Sequence, residues 1–267
     1  VNRGRLRTAD LPIRVDEITT SAAQQTVAGE PQWALTVRRR SETDAGREFV
    51  TGRAALRREV EKDVASVSTS EDSVSINQRI QHDHTTEFGV WMAVDNGWAI
   101  VSDDWVAGVI GQVITPHLKD TNLDLRGLLA DLEEPDVWQL GFSSRRVAKG
   151  GSKGVLYGSH VDEDPEIGDE LMHTPLNELG VEHIHDSGHA KAYFAASTAY
   201  VELYGSDWTD QQFIDYVGQH VVRHVENDGR APGESESESE ADADVDESQE
   251  TFDELDSVTV TDGGDDA

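Results

Sequence analysis

Glu87-Phe-Gly-Val-Trp-Met-Ala-Val94, then Asp95-Asn96-Gly97, then Trp98-Ala-Ile-Val-Ser102 is the stretch on which the fold turns. Two runs rich in aromatic and β-branched residues flank Asn-Gly, the dipeptide best suited to the left-handed geometry of a tight hairpin. An antiparallel pair is expected there. Downstream, Trp105, Val106, Val109, Ile110, Val113 and Ile114 recur at helical spacing and stop near Pro116. A second helix is expected over about 123–132, carrying Leu125, Leu128, Leu129 and Leu132.

Further strands are read at 137–143 and 154–159, flanking a loop rich in Gly, Lys and Arg, and then at 181–185, 189–196 and 200–204. Residues 167–179 read as a helix closed by Gly180 at a C′ position. Thr209-Asp-Gln-Gln212 is a capping box that opens a last helix running to about Val225. Upstream, 33–37 reads as a strand ending in Arg38-Arg39-Arg40. Residues 44–65 read as a charged helix holding Phe49, Val50, Leu56, Val60 and Val64, weakened by Gly46 and Gly52. Short hairpin strands interrupted by helices predict an α+β fold, mainly an antiparallel sheet with helices packed on one face.

Composition divides the chain into three: an Arg-rich N-terminal region, 1–72, with partial strand and helix; an α+β core domain, 73–226; and an acidic tail, 227–267. The last 34 residues hold 15 acidic groups and no Lys or Arg, so the tail is expected to be disordered. The whole chain carries −31, with 5 Lys against 17 Arg. Such self-repulsion is tolerable where salt screens it, the Debye length falling to about 3 Å at molar ionic strength. The reading is a cytoplasmic protein of a salt-in halophile, an archaeon first. Acidity is background in such a proteome, and clustered Arg is what needs a reason.

Absent features narrow the chemistry. With no cysteine there are no disulfides, thiolate metal sites or Cys nucleophiles. No apolar run approaches the roughly 20 residues of a membrane span, and no apolar stretch follows Arg3, Arg5 and Arg7 to make a secretory signal. Phosphate-loop, dinucleotide-fingerprint, nucleophile-elbow and His-Glu-x-x-His patterns are all missing. The sequence Lys149-Gly-Gly-Ser-Lys-Gly154 has the wrong spacing for the first of these.

Two clusters remain as functional leads. His183-Ile-His185-Asp186-Ser-Gly-His189 places three imidazoles in seven residues. His183 and His185 share a strand face, and a turn through Asp-Ser-Gly would set His189 across from His185. That arrangement suits a divalent metal such as Zn or Mn and a metal-dependent hydrolase, although an exposed polar hairpin explains the same residues. His220 and His224, four apart on the last helix, and His82-Asp83-His84 are further groups without a partner assignable from sequence. The second lead is Arg38, Arg39 and Arg40, with Arg145, Arg146, Lys149 and Lys153 in the glycine-bearing loop. Through residue 62 there are 12 basic groups against 9 acidic; the remainder has 10 against 44. Arginine forks and glycine backbones suit phosphate, so an accessory protein binding nucleic acid or another phosphate-bearing ligand is the leading expectation. Pairing of these cations with the chain's own carboxylates is the competing one. A structural or protein–protein interaction module is the third reading.

Overall fold

The computed structural model describes residues 2–70, 73–95, 97–144, 152–163, 175–185 and 188–226. The tail from 227, the loop at 145–151 and the segment 164–174, which holds 167–174 of the expected helix, lie outside them. The described residues belong to one compact unit, Val1–Asp228. Its strands begin with β1 (Arg3–Ala9), β2 (Ser21–Ala22), β3 (Thr26–Val27), β4 (Glu30–Pro31), β5 (Trp33–Glu42), β6 (Glu48–Ser70), β7 (Ser73–Val94) and β8 (Trp98–Val101). They continue with β9 (Leu118–Lys119), β10 (Asn122–Leu123), β11 (Asp136–Ser144), β12 (Ser152–Tyr157), β13 (Leu176–His185), β14 (Gly188–Ala195), β15 (Tyr200–Leu203) and β16 (Val225–Glu226). Among the described residues three α-helices, α1 (Asp104–Ile110), α2 (Leu125–Asp131) and α3 (Asp210–Tyr216), interrupt them, and α3 runs on into a π-helical turn, Val217–Val221.

One antiparallel sheet joins twelve strands in the order β12-β11-β13-β14-β15-β1-β8-β7-β6-β5-β2, with β9 added on β1. The hairpin expected around Asn96 is its centre: Val94 pairs with Trp98 and Trp91 with Val101. Successive side chains of β7 go to opposite faces. Trp91 and Ala93 join a core with Leu35, Val50, Val101 and α1 residues Val106, Val109 and Ile110. Met92 and Val94 join a second, larger core with Phe49, Ile100 and Phe194, closed by Leu128 of α2 and Phe213 of α3. The helices therefore lie on both faces of the sheet, not on one. The reason is that the central strands are apolar on both sides, so each face needs its own cover.

Helix α1 is tied to β1 by its first residue. Arg5 and Arg7 both reach Asp104, and the Arg7 side chain is almost wholly buried. Burial pushes the Asp104 carboxyl up, but the hydrogen bond from Arg5 and the charges of Arg7 and Arg5 outweigh it and leave it below the ordinary carboxylate range.

One expected helix is a strand, and so is the described end of another. Residues 44–65 form the end of a turn and most of β6, paired with β5 on one side and β7 on the other. Gly52, read as a weakness in a helix, is instead the seat of an indole: it pairs with Trp91, whose ring covers the space a Cβ would fill. Residues 176–179 open β13, and Gly180 sits mid-strand beneath the Trp138 ring. A register shift between Gly141 and Phe142 lets Leu176 and Leu179, three apart, both turn inward.

Candidate functional site

Strands β6 and β7, of 23 and 22 residues, outrun the sheet that holds them. Strand β5 covers β6 as far as Leu56, and β8 covers β7 only from Trp91 onward. Beyond that, 13 successive pairs from Arg58↔Thr85 to Ser70↔Ser73 bond only to each other. This makes a two-stranded ribbon about 40 Å long at 3.3 Å per residue. Paired residues share a face, so Glu59, Glu61 and Asp63 of β6 lie on the side that carries His84, His82 and Ile80 of β7. His82 Nδ1 is 3.0 Å from a Glu59 carboxylate oxygen, and Lys62 Nζ is 2.5 Å from Asp83 on the opposite face. Ile80 and, at the ribbon's base, Phe88 stand on the carboxylate side with 59% and 77% of their surface in solvent.

Of the first arginine cluster, only part is available to a ligand. Arg40 spends its guanidinium on the carbonyls of Val15 and Ile18 and so pins the 3₁₀ turn Val15–Glu17 against the sheet. Arg38 occupies a β-bulge between Val37 and Arg39. Arg38 and Arg39 are exposed, and among the described residues neither has a carboxylate within ion-pair distance. Their neighbours are mostly paired internally: Arg47 with Asp215 at 3.1 Å, Arg57 with Glu30, Arg58 with Glu87 at 3.6 Å. Of the second cluster, Arg145, Arg146 and Lys149 lie outside the described residues, and Lys153 is placed by its backbone opposite Ser143. In strand order β5 and β12 stand at opposite ends of the sheet, with eight strands between them.

The histidines separate differently from the expected triad. His185 pairs with Gly188 and Ile184 with His189, so His189 shares the outward face of Ile184. A register one residue from the expected one has moved it to the other side of the sheet. His183 and His185 do share a face, and it is buried. They meet His220 of the π-helical turn instead: His185 Nδ1 is 3.0 Å from His220 Nε2, and the His183 and His220 ring centroids are 5.3 Å apart. His183 donates from Nδ1 to the Ile184 carbonyl at 3.0 Å and accepts at Nε2 from the Tyr216 hydroxyl at 2.9 Å.

That tautomer follows from the carbonyl, which only accepts. Burial holds the His183 imidazole below its ordinary range and the Tyr216 hydroxyl well above its own, so both stay neutral. Both His183 nitrogens are thereby used within the core. Among the described residues no group of three or more His, Cys, Asp or Glu is arranged to hold a metal ion. His220 could not have been placed from sequence. Its one signal was lying four residues from His224 on the buried stripe of the last helix.

No known family model, curated protein or solved structure matches this chain. No helix of the described residues is long and apolar enough to cross a membrane.

Proposed function

We propose that this chain is a non-catalytic interaction module of a salt-rich archaeal cytoplasm, and that it assembles with further copies of itself through the β6–β7 ribbon. The observation that carries this is the 13-pair extension of two central strands past all their neighbours. A two-stranded ribbon is marginal in water on its own, and its open edges are templates for another backbone. Phe88 and Ile80 on one of its faces add apolar surface that only a partner would cover. Copies bearing −31 each can approach closely only where salt screens them, so assembly should require high ionic strength.

The test shortens the ribbon by joining Arg57 to Thr86, a cross-strand pair, through Asn-Gly. Sedimentation velocity in molar KCl should show concentration-dependent assembly of the full chain and a monomer for the shortened one. The same state for both chains at every concentration would refute the reading.

A second reading, an anion-binding surface for nucleic acid or another phosphate-bearing ligand, is favoured by the exposed, carboxylate-free pair Arg38 and Arg39. The double change Arg38→Ala/Arg39→Ala, with Arg40 left in place, should weaken binding of an RNA or DNA oligomer and flatten its salt dependence. Unchanged affinity would remove this reading.

A further inference from the structure

A cavity of about 740 Å³ lies between α1 and the small flap formed by β3 and β4. Its volume falls within the few hundred to one thousand Å³ of ordinary small-molecule sites. Trp33 and Trp105 form two of its walls, and Gln24, Gln25, Gln32 and Gln112 stand around them. The rest of the lining is alanine, glycine, valine and leucine. In a chain that is 28% charged, a lining without one charged group is a chemical selection.

Each part of that lining excludes something. Without Arg, Lys or His, a phosphate or carboxylate entering the cavity would lose its hydration and gain no counter-charge. The absence of Asp and Glu equally disfavours an ammonium group or a metal ion. An entirely apolar guest would strand the amides. Each glutamine offers both donors and an acceptor, and among the described residues none of these four side chains is committed to a hydrogen bond within the protein. A hydroxyl also donates and accepts, so vicinal hydroxyls match such amides. The apolar C–H face of a pyranose ring matches the face of an indole. Recognition by stacking and neutral hydrogen bonds also survives molar salt, where ion pairing is screened.

We infer that the cavity walled by Trp33 and Trp105 binds a neutral saccharide, held by ring stacking and by the four glutamine amides. Gln25 and Gln32 stand at the two ends of the β3–β4 hairpin, joined by the Gln32 N–H donating to the Gln25 carbonyl at 3.0 Å.

Isothermal titration of the full chain in molar KCl tests it, with indole fluorescence followed in parallel. The probes are neutral tetrasaccharides of glucose, galactose, mannose and N-acetylglucosamine, each beside its monosaccharide, and an oligomer of glucuronic acid. Saturable binding of at least one neutral probe with a shift in indole emission is expected. Trp105→Ala should weaken it by about tenfold or more. Because Trp105 also packs against the core, the exposed pair Gln24→Ala/Gln112→Ala gives a second measure: a several-fold loss at unchanged melting temperature. A tetrasaccharide that binds more tightly than its monosaccharide marks a glycan chain as the ligand; equal affinity marks a free sugar. Failure of every neutral probe to saturate up to its solubility, binding indifferent to the glutamine change, or equal affinity for the glucuronic acid oligomer would each overturn the inference.

Discussion

Replacing Gly52 by alanine puts the packing of the central strands to a direct test. A Cβ built there lies 2.0 Å from the Thr36 carbonyl oxygen and 2.4 and 2.5 Å from two atoms of the Trp91 ring. Carbon needs about 3.5 Å from its neighbours, so strand β5 or the indole must withdraw by about 1 Å or more. Trp91 is 1% exposed and backed by the α1 core, which leaves it no room to retreat. Overpacking of this kind costs about 1–3 kcal/mol, and with both backbone and ring obstructed the upper end applies. At about 2–4 °C per kcal/mol for a unit of this size, the melting temperature should fall by about 6–12 °C.

Gly154→Ala is the control. There the three atoms nearest a Cβ all belong to the Phe142 ring, the first at 2.3 Å. Phe142 is half-buried and β12 is the edge strand, so the ring can swing aside at about 1 kcal/mol or less. Thermal unfolding followed by circular dichroism in molar KCl separates the two. A Gly52→Ala protein melting within about 2 °C of the parent, or a Gly154→Ala protein that suffers more, would refute the reasoning.

Three further outcomes are expected. His183 has its proton affinity lowered by burial, so the unfolded chain takes up a proton first as pH falls. Its contribution to stability is complete above the ordinary imidazole value and is lost on acidification below it, with a limiting slope of about 1.4 kcal/mol per pH unit for one proton. Urea titrations from pH 7.5 to 5.5 should show that extra acid slope in the parent and not in His183→Gln; equal slopes would count against it. Arg40→Ala should cost about 2 kcal/mol by freeing two carbonyls from a charged donor. Arg38→Ala/Arg39→Ala should leave the urea midpoint almost unmoved, and the reverse order would undo the assignment of Arg40 as structural. Thr209→Ala removes the capping side chain of α3, where both halves of the box are formed. The expected loss of about 1 kcal/mol is read from the same titration.

What the sequence disclosed depended on whether local chemistry had one solution. Asn-Gly between two apolar runs marks a hairpin and Thr-x-x-Gln before an apolar stripe marks a helix start; Val94 pairs with Trp98, and the capping box forms at Thr209. The long strand β6 was hidden by arithmetic. Leu56, Val60 and Val64 are four apart, which satisfies a helical turn and also the two-residue repeat of a strand. Gly46 and Gly52 argued against a helix, and the reason for Gly52 lay 39 positions away in Trp91. The ribbon's return strand had a fainter signal, the even spacing of Val74, Ile76 and Ile80. At the histidines, the shared face of His183 and His185 was legible because it is a property of one strand. The side taken by His189 hinged on a register that a turn decides. Contact with His220 belongs to tertiary structure alone.

The ribbon also has a mechanical meaning. Because it continues β6 and β7 without a break, a pull along its axis enters the sheet at the two strands held on both flanks, by β5 and by β8. Such a load acts sideways on many ladder bonds at once, in shear, instead of opening them one after another like a zipper. Anything that grips the tip is therefore coupled to both cores through their shared wall. The arm would hold under tension until the body itself gives way, and a single-molecule pull from its tip should register one abrupt rupture, not a gradual peel.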